Sequence, residues 1–117
     1  MKNYKEIITS IIKELGISAN LNGYHYIRYA IELMVKDINL IHSITSELYP
    51  AVAQEFGTTP ARAERCIRNA IELGWNKAND DLTMKLFGYS ISAEKGKPTN
   101  SEFLATVADY IILKGGD

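Results

Sequence analysis

The sequence offers little of what several protein classes require. It has one cysteine, Cys66, so no disulfide can form within the chain. No run approaches the roughly 18 consecutive apolar residues of a membrane-spanning helix. Residues 1–10 lack the basic start and apolar stretch of a secretory signal. These absences point to a cytoplasmic protein with no membrane partner. An excess of positive charge is also missing: 13 Lys and Arg stand against 14 Asp and Glu, for a net charge of -1. Whole-domain basicity is the usual footprint of nucleic-acid binding. Its absence turns the question to where the charges lie.

What is present suits one ordinary domain. The chain has 117 residues, 46% hydrophobic and 23% charged. Such a composition can bury a single core without metal or disulfide support. Glycines and prolines divide the chain into blocks with helical periodicity. Helices are expected over residues 4–15, ended by Gly16, and over 24–39, after a turn at 20–23. A third starts near Ser43 or Thr45 and reaches Leu48. A short one over 51–56 follows Pro50 and ends at Gly57. Thr59 and Pro60 are a capping residue and a first-turn proline, opening a helix over 61–77. Further helices are expected over 80–87, stopped by Gly88, and over 101–112, opened by the run Thr99-Asn100-Ser101-Glu102. Residues 89–99 form a loop and 115–117 a frayed tail. No repeat or β-rich block interrupts this. The fold class is all-α, with about six helices containing a helix-turn-helix.

The helix-turn-helix is expected within residues 49–75, its two helices joined by Phe56-Gly57-Thr58-Thr59. Ala53 is small where two helices must cross, and Gly57 can take the left-handed backbone of a sharp turn. The second helix buries Ala63, Ile67, Ala70, Ile71 and Gly74, with Cys66 beside that seam as a small hydrophobe. Arg62, Arg65, Arg68 and Asn69 recur at steps of 3 and 4 on the opposite face, with Glu64 among them. Arginine suits the guanine edge, asparagine adenine, and glutamate cytosine. The helix start favours phosphate. Spacing alone leaves open a face that reads DNA, an amphipathic helix whose arginines are merely solvated, and an α-helical protein–protein adaptor holding an acidic partner.

Other polar residues suggest no chemistry. His25 and His42 lack partners at ligand spacing, so no metal and no cofactor is expected. No constellation supports an enzyme. Tyr24, Tyr26 and Tyr29 are expected to wrap a core edge, and Trp75 to pack the end of the second helix. Asp80 and Asp81 suit a helix start. Lys95 and Lys97 flank a glycine in a loop, as solvated charges or as phosphate contacts.

Several runs carry a family resemblance. Ala61-Arg62-Ala63-Glu64-Arg65-Cys66-Ile67-Arg68-Asn69-Ala70-Ile71-Glu72 resembles the recognition helix of the stage-zero sporulation master response regulators of endospore-forming bacteria. So do Ser43-Ile44-Thr45, Leu48-Tyr49-Pro50, Leu86-Phe87-Gly88-Tyr89 and Lys97-Pro98-Thr99-Asn100-Ser101-Glu102-Phe103, and the likeness runs from Ile8 to about Asp109. It implies a sequence-specific DNA-binding transcription regulator of sporulation genes, both activator and repressor, reading boxes similar to TGTCGAA in duplex DNA. In that family a phosphorylated receiver of two-component type precedes the effector domain. The α/β alternation of a receiver is absent here. The resemblance thus implies a single effector domain over 1–117, its receiver removed and Met1 added in cloning.

By the same resemblance Arg62 and Arg65 contact guanines. Glu64 contacts cytosine or holds an arginine in place. Arg68 serves a base or a phosphate. Asn69 stands where a relative has histidine. Thr58 and Thr59 anchor the DNA backbone. The family also implies a head-to-tail homodimer on tandem boxes, helped by the last helix. It implies contact with the RNA polymerase sigma subunit through residues 75–87, with Asp80, Leu82 and Phe87 as candidates. Phe87 carries two readings, an exposed apolar anchor or a core aromatic.

Overall fold

The computed structural model describes residues 3–88 and 96–115. Among them it contains six α-helices and no strand. Helix α1 spans Tyr4–Glu14. Asn3 caps it, its side-chain oxygen accepting from the Glu6 N–H at 3.3 Å. Ile8, Ile11 and Ile12 share the buried face, at the i, i+3, i+4 spacing of one helix side. Gly16 then turns the chain with φ of 83°.

Helix α2 spans Asn22–Lys36. It begins two residues before its expected start, so Gly23 lies inside the helix rather than in a turn. It also ends earlier, because Asp37 leaves helical geometry and caps a new segment by accepting from the Asn39 N–H at 3.1 Å. That segment, Ile38–Ser43, is 3-10 helical. It leads into a π-helical turn, Ile44–Leu48, and then directly into α3, Tyr49–Phe56. Pro50 accounts for the wide turn. It has no N–H to offer the Ser46 carbonyl, and its ring would collide there in an ordinary helix. The chain widens instead, and the Tyr49 N–H donates to the Ile44 carbonyl five residues back.

Gly57 caps α3 in the left-handed region, with φ of 66°. Helix α4, Pro60–Trp75, follows after three residues. Helix α5, Asp80–Phe87, is capped by Asn79, which accepts from the Leu82 N–H at 3.1 Å. Gly88 stops it, with φ of 45°. Helix α6, Asn100–Gly115, starts one residue before its expected start and extends through Gly115, placed in the tail by sequence. Its start is a reciprocal capping box. Thr99 Oγ1 accepts from the Glu102 N–H at 3.1 Å, and Glu102 Oε1 accepts from the Thr99 N–H at 2.8 Å. Most of the expected 89–99 loop, including Lys95, lies outside the described residues, as do 116 and 117.

Helix α2 is the central element, packed chiefly against α4 and α6. Ile27, Ala30, Ile31 and Met34 of α2 have no exposed surface, nor have Phe103, Leu104, Val107, Ala108 and Ile111 of α6. Burying each of the larger side chains stabilises by about 1.5–3 kcal/mol. Tyr24 and Tyr26 are buried and Tyr29 half-buried, on the core edge as expected. α4 closes this core with Ala63, Ile67, Ala70 and Ile71. That seam fixes which face of α4 remains outside.

Candidate nucleic-acid interface

The outer face of α4 follows from its seam. Arg65 lies two residues from both Ala63 and Ile67. At about 100° per residue it therefore points away from both. Arg62 and Asn69, three before and four after, lie on one side of Arg65. Arg68, three after, lies on the other. All four are exposed. The expected single stripe thus divides into Arg62, Arg65 and Asn69 along one edge and Arg68 along the other.

Arg68 is engaged within the chain. Its guanidinium donates to both carboxylate oxygens of Glu64, one turn earlier. The two side chains are 51% and 29% exposed. An i, i+4 pair this open is worth only about 0.3–0.5 kcal/mol, so a phosphate could displace Glu64 at little cost. In the chain without DNA, Glu64 is paired with Arg68. Among the described residues, Arg62, Arg65 and Asn69 make no side-chain hydrogen bond or ion pair. They are free to meet another molecule.

The turn before α4 is built tightly. The Gly57 and Thr58 N–H groups both donate to the Ala53 carbonyl, the latter at 2.9 Å. Thr59 Oγ1 accepts from the Arg62 N–H at 3.2 Å. That cap uses a lone pair, so the Thr59 hydroxyl proton remains a donor at the exposed start of α4. Thr58 is half-buried.

Beside the Glu64 edge runs a groove of about 530 Å³, lined by Thr45, Tyr49, Glu64, Arg68, Lys97 and Asn100 among others. Asn100 reaches across it. Its side-chain amide donates to the Glu64 backbone carbonyl at 3.0 Å and to the Tyr49 hydroxyl at 3.1 Å. Burial pushes the Tyr49 phenol above its usual range. Glu64 adds to the shift, while the Asn100 hydrogen bond and Arg68 oppose it. Sequence reasoning missed Asn100 and Tyr49 as neighbours of α4. They stand 36 and 15 positions from Glu64, and no local pattern joins them.

The candidates on α5 separate. Asp80 is exposed and Leu82 half-buried. Phe87, placed by sequence as a candidate sigma contact, is 3% exposed. It is held edge-on by Trp75 at 5.2 Å and stacked on Phe103 at 5.9 Å between ring centres. It is thus the core aromatic, not the surface anchor. Met84, 64% exposed, is the apolar side chain that α5 shows to solvent. No helix among the described residues is long and apolar enough to cross a membrane.

Residues 8–111 match the family model described as sporulation initiation factor Spo0A C terminal. The match takes in all of α2 to α5, including the arginine face, and most of α1 and α6. The likeness seen in the sequence is therefore shown to be membership, and the family is one of DNA-binding regulatory domains rather than of enzymes. The chain belongs to the Spo0A C-terminal family, the DNA-binding part of a regulator of sporulation.

Proposed function

We propose that the chain reads a specific DNA sequence, similar to TGTCGAA, by laying α4 in the major groove. In this reading α3, the Gly57-Thr58-Thr59 turn and α4 act as a helix-turn-helix, with α4 as recognition helix. The observation that carries it is the free edge of Arg62, Arg65 and Asn69. These donors lie along one side of an exposed helix face, unsatisfied among the described residues. Arg62 and Arg65 pair with guanines through two hydrogen bonds each. Asn69 contacts an adjacent base. Arg68 turns from Glu64 to a phosphate, which leaves the Glu64 carboxylate to accept from a cytosine. Thr58 and Thr59 anchor the backbone at the start of α4.

The domain works in the cytoplasm as an activator and a repressor, and pairs head to tail on tandem boxes. Activation uses contact with the RNA polymerase sigma subunit through the outer face of α5, where Asp80, Leu82 and Met84 are accessible. Footprinting on a duplex with one box tests the base readout. Protection confined to the box is expected. Even protection along the duplex at matched occupancy would reduce the reading to nonspecific binding.

A further inference from the structure

We propose that Asn100 is a positioning residue for DNA reading, clamping the N-terminal half of α4 to α3 and α6. The proposal rests on α4 being the reading helix. Its geometry is a three-way bridge. Asn100 stands at the first position of α6, and its amide nitrogen lies 3.0 Å from the Glu64 carbonyl and 3.1 Å from the Tyr49 hydroxyl. Chemistry fixes the amide's orientation. A carbonyl oxygen only accepts, so the group facing Glu64 must be the NH₂ end. Both of its protons are then used, one on α4 and one on α3.

The bridge holds the backbone where the readers depart. Glu64 lies two residues after Arg62 and immediately before Arg65. Asn100 itself stands on a firm base. The next turn of α6 carries Phe103 and Leu104, neither with any exposed surface, and the capping box of Thr99 and Glu102 fixes the helix start. The buried seam of α4 sets its rotation. Apolar contacts are non-directional, however, and fix the position along the helix axis less sharply than a hydrogen bond does. A directional hydrogen bond to one carbonyl sharpens that position. Base contacts need their donors within about 0.5 Å of the right place. Contacts of long side chains with phosphates are more forgiving. Loss of the bridge should therefore harm specific binding more than nonspecific binding.

Two variants remove the amide: Asn100→Leu, close to it in bulk, and Asn100→Ala. Binding is measured on a duplex carrying one TGTCGAA-type box and on the same duplex scrambled. Amide hydrogen exchange of residues 61–69 is followed in parallel. We expect affinity for the box to fall about three- to tenfold, the weight of one or two ordinary hydrogen bonds. Affinity for the scrambled duplex should change less than about twofold. The salt dependence should keep its slope, since no phosphate contact is lost. Exchange over 61–69 should quicken while that of α1 stays unchanged.

Equal losses on both duplexes with a shallower salt slope would overturn the proposal, making Asn100 a phosphate contact. Unchanged affinity and exchange would also overturn it. If both variants unfold, Tyr49→Phe removes one arm of the bridge and keeps the ring. A smaller loss confined to the box is then expected, and none would count against the bridge. Failure of the reading itself is distinguishable. A wild-type domain that does not prefer the box sinks that reading, while faster exchange over 61–69 still reports the clamp.

Discussion

Gly23 of α2 lies directly on the backbone of Cys66 in α4. A Cβ built on Gly23 would stand 2.2 Å from the Cys66 carbonyl oxygen and 2.6 Å from the Ala70 Cβ. The helices therefore approach as closely as backbones allow. A second such contact joins Gly16 to Gly74, where an added Cβ on Gly16 would stand 2.2 Å from the Gly74 carbonyl oxygen. Helix α4, with its arginine face, is thus seated on the core through two glycine contacts, near its middle and near its end.

Replacing Gly23 with alanine should accordingly destabilise the fold. The obstacle is backbone, which cannot swing aside as a side chain can. A loss at the upper end of the roughly 1–3 kcal/mol usual for overpacking is expected. Urea denaturation measures it, and an unchanged midpoint would contradict the close approach.

Arg65 stands at the centre of the outer face of α4. Arg65→Ala should cost about 1–3 kcal/mol of binding to the box and relax preference at one base pair. Stability should hardly change, because the side chain is exposed and unpartnered among the described residues. Titration against single-base variants of the box reads this. A flat loss across all variants would assign Arg65 to phosphate instead.

Phe87 and Met84 should behave differently despite lying on one helix. Phe87→Ala empties a site between Trp75 and Phe103 and should cost about 3–5 kcal/mol of stability. Met84→Ala should leave the melting temperature nearly unchanged and reduce polymerase-dependent transcription without altering DNA affinity. Full transcription by a Met84→Ala domain would remove Met84 from the proposed sigma contact.

Tyr49 gives the fold a specific alkaline sensitivity. Its folded-state pKa is raised, chiefly by burial, so the folded chain holds the phenol proton more tightly than the unfolded chain does. The resulting stability is fully present below the unfolded value, near about 10. It is lost as pH rises through the folded value. Tyr49→Phe should remove this part of the alkaline decline. Denaturation midpoints compared between about pH 8 and 11 test it, and parallel curves for the two proteins would argue against the shift.

Much of the fold was legible in the sequence because its signals are local. Thr59 followed by Pro60 marked the start of α4 through a cap and a fixed φ. Gly57 marked the turn before it. The Thr99 to Glu102 run marked α6 by the same logic. The arginine face was legible because the apolar residues of α4 recur at helical spacing and leave one side over. The rest depends on distant partners. Gly23 reads as a turn residue until α4 is laid against it. The π turn before Pro50 answers a clash that hydrophobic pattern does not record. The capture of Arg68 by Glu64 shows only once the side chains are placed, and the bridge from Asn100 spans 36 positions. Phe87 has an apolar identity that fits either surface or core, and only its place against Trp75 and Phe103 decides.

The most direct test is fluorescence anisotropy of a labelled duplex bearing one TGTCGAA-type box, against its scrambled counterpart, at two salt concentrations. Recognition by α4 predicts clear preference for the box at both salts, with affinity falling steeply as salt rises. Equal, salt-sensitive binding to both duplexes would contradict sequence reading, and binding to neither would point to a protein partner for the arginine face.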